Sequence, residues 1–393
     1  MERSIIHLNV ADFAAAVERA LDPRLAGRPL VIARPAAARA TVFDMSEEAF
    51  RAGVRKGMPL ALARRRCPEA QLLPPRPERY ARAMRVLFET ALAYSPRVET
   101  GRADGHLFLD ATGTRRLLGP PMDIAWRLRR EVRARLGVTP IWTLAPNKLV
   151  AKAASRLVKP EGEYIVAEGE EEAFLAPLPL ELVPGVERCD LRTLGSFRLR
   201  RAGEVAALPL EALRVLCGAR AGFLHEAVRG IDPSPVRAAG EPAPEIAAEE
   251  RFAGDTDDEA ELAAALARLA GRAGAELRRR RLAARRVRVV LHGADGAEAL
   301  RRAALQPPTA DDFLLRDAAR RAAAAAWSRR VRLRGLALAC EGLVFPPAQR
   351  ELFPAAGERG EGRARLMAAI DRVRRRFGEE ALRVAAALPP ETA

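Results

Sequence analysis

The sequence is poor in the residues that build disulfide frameworks and zinc sites. It has four cysteines and four histidines among 393 residues. The cysteines are Cys67, Cys189, Cys217 and Cys340, and no two of them form a Cys-x-x-Cys pair. Disulfide scaffolds and zinc sites need closely spaced cysteines or histidines. The pattern therefore predicts a protein of a reducing compartment, with no disulfide framework and no structural zinc.

Long hydrophobic runs are also missing. No apolar run reaches the roughly 18 residues that a membrane span needs, and the N-terminal segment lacks the pattern of a signal peptide. Hydrophobic residues still make up 49% of the chain, which is too many for a disordered protein. At roughly 150 residues per domain, we expect a cytoplasmic protein of two to four domains, with no membrane partner.

Lysine is scarce, and the excess positive charge is unevenly spread. The formal net charge is +15, and residues 262–340 contain 18 arginines against 6 acidic residues, so they carry +12 of it. A solvated helix face usually interleaves acids with bases, and this segment does not. We therefore favour nucleic-acid binding over a solvated face. The candidate DNA-binding residues are Arg278, Arg279, Arg280, Arg281, Arg285, Arg286 and Arg288.

The pattern of apolar residues predicts two α/β segments. Residues 4–145 follow the order β-α-β-β-α-β, interrupted by an insert at 21–75, which is typical of a ferredoxin-like fold. Short helices are predicted over 170–232. A linker rich in proline and alanine follows, and a second β-α-β-β-α-β order covers 249–340. One more helix is predicted near 361–377.

Five motifs lie along this frame. They are IIHLNVADFAAAVE (5–18), GVRKGMPLALARRRCP (53–68), LAPNKLVAKAASRLVKPEG (144–162), LPLELVPGV (178–186) and the basic β-α segment 249–340. In this order they resemble a Y-family (DinB/UmuC-like) DNA polymerase. The resemblance implies an α+β multidomain, right-hand architecture that binds primer-template DNA. Its parts would be a ferredoxin-like palm (1–20 and 76–165), fingers (21–75), a helix-hairpin-helix thumb (166–232), a linker (233–248), a β-α-β-β-α-β little finger (249–345) and a C-terminal tail (346–393).

The family's catalytic acids are not at their expected positions. Nucleotidyl transfer in that family uses two divalent metals held by carboxylates. The first acid falls on Asn9, and the second pair falls on Gly105 and His106. A shift of one residue would place Asp104 at the first position of the pair. Asp12 is another residual candidate, although an N-cap role is its simpler interpretation.

The triphosphate site is altered in the same way. By resemblance, the family's Tyr and Arg fall on Glu47 and Phe50, and the aromatic residue beside the sugar falls on Ala14. Glu47 would repel a triphosphate, and Phe50 cannot make the bidentate contacts of Arg. Lys159 matches the remaining phosphate-binding lysine, and it could equally be a DNA-backbone contact or a surface residue.

The segment DGHLFLDATGTRRLLG (104–119) also resembles ImuB, a catalytically inactive Y-family-like member. This resemblance implies a DNA-binding adaptor for translesion synthesis and SOS mutagenesis, without enzyme activity and without a cofactor. Its partners would be the sliding clamp, an error-prone polymerase of the replicative class and a RecA-like protein. Two alternatives stay open. One is an active divergent polymerase that uses Mg²⁺ and a metal site rebuilt from Asp12 and Asp104, with Asp110 as a further candidate. The other is a clamp-bound regulator that does not use DNA.

Two further motifs point to partners. Gln349, Leu352 and Phe353 form a Gln-x-x-Leu-Phe segment that resembles a bacterial clamp-binding peptide, in which the apolar pair would fill a pocket. The thumb-like segment has two candidate hairpins that could present backbone N–H groups to a DNA phosphate. Their residues are Gly185 in the first and Gly218 with Arg220 in the second. A purely structural turn is the alternative for Gly185.

Overall fold

The chain divides into two units between Glu241 and Pro242. The computed structural model describes residues 3–34, 40–101, 103–241, 245–327, 331–345, 357–378 and 381–382. Over these residues, no helix combines the length and the apolar character that crossing a membrane requires.

The N-terminal unit mixes short strands with helices. Its strands are β1 (Ile5–Asn9), β2 (Leu30–Ile32), β3 (Asp44–Met45), β4 (Gln71–Leu73), β5 (Val98–Thr100), β6 (His106–Asp110), β7 (Ile141–Ala145) and β8 (Glu163–Ile165). Its α-helices are α1 (Phe13–Leu21), α2 (Glu47–Arg51), α3 (Leu60–Arg66), α4 (Pro77–Leu92), α5 (Arg115–Leu118), α6 (Pro121–Leu136), α7 (Lys148–Leu157), α8 (Glu171–Leu175), α9 (Arg188–Ser196), α10 (Ala202–Ala206), α11 (Leu210–Cys217) and α12 (Ala221–Ala227).

Strand β1 is the centre of the main sheet, whose order is β5-β6-β1-β7-β8. It pairs antiparallel with both β6 and β7, and all five of its residues are buried. Ile6 and Leu8 pack into the core that also contains Leu87 of α4 and Leu128 of α6. Because side chains alternate along a strand, His7 and Asn9 point to the opposite face. The ferredoxin-like order predicted from the sequence is confirmed, and β8 adds an edge strand that was not predicted.

The insert between α1 and α4 forms a small sheet of its own, in the order β3-β2-β4. The apolar run 40–43 predicts a strand here, but that prediction is wrong. The strand lies at Asp44–Met45, because Val42 pairs its backbone with Met58 and Gly57 instead of continuing the ladder. A separate core of small apolar residues, including Val31 and Val54, holds this sheet to α2 and α3.

The short helices α8–α12 pack on α7 around a core that includes Val150, Leu194 and Leu224. Asn147 begins α7: its side chain accepts a hydrogen bond from the N–H of Val150 at 2.9 Å and donates one to the carbonyl of Gly230 at 2.7 Å. One amide therefore both caps α7 and ties it to the end of the short-helix segment.

The segment that follows lies along the edge of the main sheet, although its composition predicts a linker. Arg237 lies 3.3 Å from Glu99 of β5, and the N–H of Ala239 donates to the carbonyl of Pro96. The proline-rich composition therefore describes an extended strap over 232–241 rather than a free spacer.

The C-terminal unit contains a second sheet in the order β11-β10-β12-β9, with every pair antiparallel. The strands are β9 (Glu245–Thr256), β10 (Ala284–Gly293), β11 (Glu298–Thr309) and β12 (Leu333–Glu341). The helices are α13 (Glu259–Arg279), α14 (Asp312–Ala326) and α15 (Gly357–Phe377). Leu269 of α13, Leu315 of α14 and Val289 of β10 share one core, so both helices cover the same face of the sheet. The second β-α-β-β-α-β order is confirmed.

Candidate functional site

The pairing of β1 with β6 places Asn9 directly opposite His106. Asn9 is 1% exposed, and its Nδ2 atom has no hydrogen-bond partner. The Nε2 atom of His7 lies 3.1 Å from Nδ1 of His106, and the two rings stack. Burial lowers the pKa of His7 well below its usual value and lowers the pKa of His106 to about 4. At neutral pH, both imidazoles are therefore uncharged.

Gly105 is required by the backbone. Its φ is +79°, and its carbonyl accepts a hydrogen bond from the N–H of Val10 at 3.0 Å. A Cβ atom at this position would lie 2.8 Å from the carbonyl oxygen of Val10 and 2.9 Å from the side chain of Phe13. Any residue with a side chain would strain this turn. Position 105, where the first acid of the second pair would fall, therefore has no room for an acidic side chain on this backbone.

Asp104 and Asp12, the residual acidic candidates, lie in different turns. Asp104 accepts a hydrogen bond from the N–H of His106 at 3.2 Å. Asp12 precedes α1 in a left-handed conformation with φ 48°, and its side chain makes no capping hydrogen bond. Asp12 therefore occupies the expected N-cap position of α1, but its side chain does not cap the helix. Burial and the neighbouring carboxylate of Asp44 raise the pKa of Asp12 to about 6.

Asp44 is a buried acid that sequence reasoning missed. Its Oδ2 atom accepts a hydrogen bond from the N–H of Ala14 at 2.8 Å, and its Oδ1 atom lies 2.9 Å from Nζ of Lys56. These contacts join the insert to the first turn of α1. The one signal in the sequence was an acid at the end of the apolar run 40–43.

The residues present do not fit a two-metal carboxylate site. Among the described residues, no three acidic, imidazole or thiol groups converge to hold a metal ion. The charges of Lys152, Lys159 and Arg156 act at this position, since they help to lower the pKa of His7. A buried amide and two neutral imidazoles beside these cations supply no anionic cradle for a divalent ion.

The positions aligned with the triphosphate site carry other contacts. Glu47 forms an ion pair with Arg51 at 2.9 Å, and the guanidinium of Arg55 lies 3.9 Å from the centre of the Phe50 ring. Ala14 is buried, and burial lowers the pKa of Lys159. Phe50 therefore holds the Arg55 guanidinium beside it by a cation–π contact. The aligned positions alone did not reveal Arg55.

The two hairpins of the short-helix segment are linked by Arg220. Its guanidinium donates to both carboxylate oxygens of Asp190 and to the carbonyl of Gly185. A Cβ at Gly185, which has a φ of +84°, would overlap the ring of Phe223, whereas Gly218 faces open space. Gly185 and Arg220 are separate candidates in the sequence, and the fold brings them into contact.

The arginines of the C-terminal unit are divided between its two faces. Arg278 lies on the helical side, 2.7 Å from both Asp312 and Asp371, and Arg279 and Arg280 form ion pairs with Glu276. On the face of the sheet that α13 and α14 do not cover, three more arginines lie around Glu341: Arg286, Arg288 and Arg302. Arg281, between α13 and β10, and Arg285, in β10, are both exposed. In the folded unit, acidic residues that are distant in sequence therefore lie between these arginines, although the sequence segment itself does not interleave acids with bases.

The clamp-like residues Gln349, Leu352 and Phe353 lie outside the described residues.

The raised pKa of Asp12 predicts a pH dependence of stability. The folded state holds a proton up to about pH 6, whereas the unfolded chain releases it near the ordinary aspartate pKa of 3.8. Stability therefore falls as pH rises between these two values. We expect Asp12→Asn to raise the urea midpoint of the N-terminal unit, and to raise it more at pH 8 than at pH 5. An equal difference at both pH values would contradict this assignment.

Two family models match the sequence. The impB/mucB/samB family model matches residues 8–156, and the C-terminal domain model of the same family matches residues 243–352. A DNA polymerase IV of Halorhodospira halophila is 36% identical over 90% of this chain and 99% of its own length. A DNA polymerase IV of Desulfatibacillum aliphaticivorans is 33% identical over 98% of this chain and 97% of its own length. A DNA polymerase IV of Dehalococcoides mccartyi strain CBDB1 is 30% identical over 96% of this chain and 95% of its own length.

Solved structures share the fold. A Y-family DNA polymerase chimera of Dbh and Dpo4 matches with a TM-score of 0.68 at 20% identity, over 87% of this chain and 100% of the chimera. The insertion ternary complex of Dbh DNA polymerase matches with a TM-score of 0.61, also at 20% identity and over the same shares of both chains. The predicted α+β multidomain polymerase fold is confirmed.

These comparisons correct three predictions. Relatives that match nearly the full length are named DNA polymerase IV, so the prediction of a non-catalytic adaptor is wrong, and so is the prediction that the chain is not an enzyme. The expectation of no cofactor is also overturned, because it followed from the prediction of an inactive adaptor, and the relatives are named as polymerases. The finer resemblance to ImuB has no support among these relatives. The chain belongs to the impB/mucB/samB family of Y-family DNA polymerases.

Proposed function

We propose that this chain is a divergent translesion DNA polymerase that extends a primer on template DNA during DNA repair. The observation that carries the proposal is similarity over nine-tenths or more of the chain to relatives named DNA polymerase IV. The matched fold includes Dbh DNA polymerase in an insertion ternary complex, which supports primer-template DNA as the substrate. This function implies that the protein acts in the cytoplasm.

Mg²⁺ is the cofactor that this function implies, yet the palm lacks the usual ligands for it. Asn9 and His106 supply no negative charge, and Gly105 has no space for a side chain. Neutralising the phosphate charge is the main task in phosphoryl transfer, so missing carboxylates should slow it. We therefore expect weaker incorporation than a palm with a full set of acids would give. The residual acids Asp12 and Asp104 are the groups whose loss should matter most.

Primer extension tests this proposal. We expect the full chain to add nucleotides slowly with Mg²⁺ or Mn²⁺, and Asp104→Asn to reduce the rate. The double variant Asn9→Asp/His106→Glu restores two carboxylates on β1 and β6, so it should raise kcat/KM for a single nucleotide at least about tenfold. Asp110→Asn is the matched control, because Asp110 accepts a hydrogen bond from the N–H of Thr112 at the far end of β6.

Absence of templated incorporation by the wild-type chain with either metal would overturn the polymerase proposal. A folded double variant that is no faster than wild type would show that the missing acids do not limit the rate. Circular dichroism of each variant separates a loss of activity from a loss of folding.

We infer that DNA lies along the uncovered face of the C-terminal sheet. Arg286 and Arg302 on this face are more than half exposed, whereas Arg288 is held between Glu245 and Glu341. Helices α13 and α14 cover the opposite face, so they leave Arg286 and Arg302 open to a phosphate backbone. Each such contact releases counterions and makes binding depend on salt. Arg281 and Arg285, just before β10 and in its first residues, are exposed as well.

Salt titration of DNA binding tests this interface. We expect Arg286→Ala/Arg302→Ala to weaken binding to primer-template DNA and to reduce the slope of log affinity against log salt by about one to two. The matched control is Arg320→Ala/Arg321→Ala, which removes two exposed arginines from α14 on the helical side. If the control lowers the slope as much as the sheet variant does, DNA does not lie on the sheet.

We further propose that residues 349–353 bind the bacterial sliding clamp. The support is the Gln-x-x-Leu-Phe pattern, in which Leu352 and Phe353 would enter an apolar pocket. The accessory polymerase and the RecA-like partner were expected only from the resemblance to ImuB, so they lose their basis with it.

Clamp capture tests the peptide. Phe353→Ala should reduce capture of the full chain by a purified bacterial clamp at least about tenfold, because it removes an aromatic anchor. Phe377→Ala, at an exposed position near the end of α15, is the matched control and should leave capture unchanged. Unchanged capture of the Phe353 variant would exclude this segment as the tether.

A further inference from the structure

Arg220 lies between the two hairpins of the short-helix segment, and most of its hydrogen-bond donors are already used. Its Nε donates to Oδ1 of Asp190 at 3.0 Å, and its Nη2 donates to Oδ2 of Asp190 at 2.6 Å and to the carbonyl of Gly185 at 2.7 Å. Its Nη1 lies 3.1 Å from the carboxylate of Glu187. A guanidinium has five N–H donors, so at most one of them is left for a ligand.

The acid that holds Arg220 is buried. Asp190 is 4% exposed, and its Oδ2 atom also accepts a hydrogen bond from the N–H of Glu187 at 2.9 Å. One buried carboxylate therefore fixes both the start of α9 and the guanidinium. Phe223 adds an apolar contact, because its ring packs against Gly185 and its centre lies 4.9 Å from the guanidinium of Arg220. Arg220 thus joins the second hairpin to the turn of the first.

The turn that Arg220 holds has a backbone donor open to solvent. Gly185 is exposed, and its N–H makes no hydrogen bond with any of the described residues. Lys152 of α7 lines the same groove of about 280 Å³ as Gly185, and it forms no ion pair in the part of the chain that the structure describes. An open N–H that shares a groove with a lysine suits a phosphate of a nucleic-acid backbone.

Two roles of Arg220 predict opposite effects of its buried partner. If Arg220 itself contacts DNA, Asp190 competes with phosphate for the guanidinium, and removing the charge of Asp190 strengthens binding. If Arg220 holds the hairpins in place, Asp190 belongs to the same lock, and removing its charge weakens binding. The donors already engaged and the burial of Asp190 favour the second role, because breaking a buried ion pair displaces the groups that it joins.

We propose that Arg220 is a positioning residue, which locks the two hairpins together so that the N–H of Gly185 meets a phosphate of the DNA backbone. Arg220 does not contact the DNA itself. It also neutralises Glu187, a carboxylate beside the turn that would otherwise repel the phosphate. This inference rests on the proposed function, because it concerns how the primer-template DNA is held.

DNA binding by the full chain tests this role, with primer-template DNA in EDTA so that no primer is extended. We expect Asp190→Asn to weaken binding about fivefold, the order expected for one lost hydrogen bond. Arg220→Lys should weaken binding by a similar factor, because an ammonium keeps the charge but not the planar fork. The double variant should bind no more weakly than either single variant, because both substitutions break one lock.

Arg214 and Glu211 form the matched control pair, because they lie 3.5 Å apart on α11 and both are exposed. Glu211→Gln and Arg214→Lys should leave DNA affinity unchanged. A folded Asp190→Asn variant that binds DNA as tightly as the wild-type chain, or more tightly, would overturn the positioning role. So would an Arg220→Lys variant with wild-type affinity, since charge alone would then be sufficient.

Hydrogen exchange of the wild-type chain gives a second measurement, which holds even if the loss of a buried charge unfolds the segment. We expect DNA to slow amide exchange over residues 185–187, and unchanged exchange there would contradict the contact. Neither measurement depends on extension of a primer. A chain that binds DNA in this way without extending a primer would contradict only the polymerase proposal. A chain that extends a primer without protection at residues 185–187 would contradict only this one.

Discussion

The antiparallel pairing of β1 on both of its edges is the constraint on which the candidate active site depends. Pairing with β6 and β7 buries every residue of β1, so each of its side chains must enter a packed face. The alternation of the strand sends Ile6 and Leu8 into the core and leaves His7 and Asn9 on the face of α7. Shifting the register by one residue would exchange these two sets, and the core would not tolerate it.

The same pairing explains the unusual chemistry of this face. His106 must lie opposite Asn9, and the turn before it must approach Val10 closely, so only glycine fits at position 105. The imidazoles of His7 and His106 are uncharged because burial, helped by nearby cations, lowers their pKa values. Under the proposed function, phosphate charge has to be stabilised with fewer carboxylates than a two-metal site supplies. Cations such as Lys152 and Lys159, both with pKa values lowered chiefly by burial, lie nearby.

The positive charge of the C-terminal unit has two physical roles. On the helical side, Arg278 joins α13 to α14 and α15 through Asp312 and Asp371, which is a structural use of a guanidinium. On the uncovered side of the sheet, Glu341 at the end of β12 faces three arginines at once and cannot neutralise them all. A sum of charges along the sequence treats both groups alike. The fold separates them, because helices cover one face of the sheet and leave the other open.

The sequence by itself determined the order of elements, both β-α-β-β-α-β frames and the membership of the family, because periodicity and local motifs are properties of neighbouring residues. It also located the missing acids at Asn9, Gly105 and His106. Only the tertiary structure decided that a side chain at Gly105 would clash, that Asp44 approaches Asp12, and that Arg220 bonds to Asp190. These facts depend on contacts between residues that are distant in the chain, and neither spacing nor composition encodes them. The prediction of an inactive adaptor is wrong for a related reason. It depended on acids missing at single aligned positions, whereas similarity over nearly the whole chain groups the protein with relatives named DNA polymerase IV.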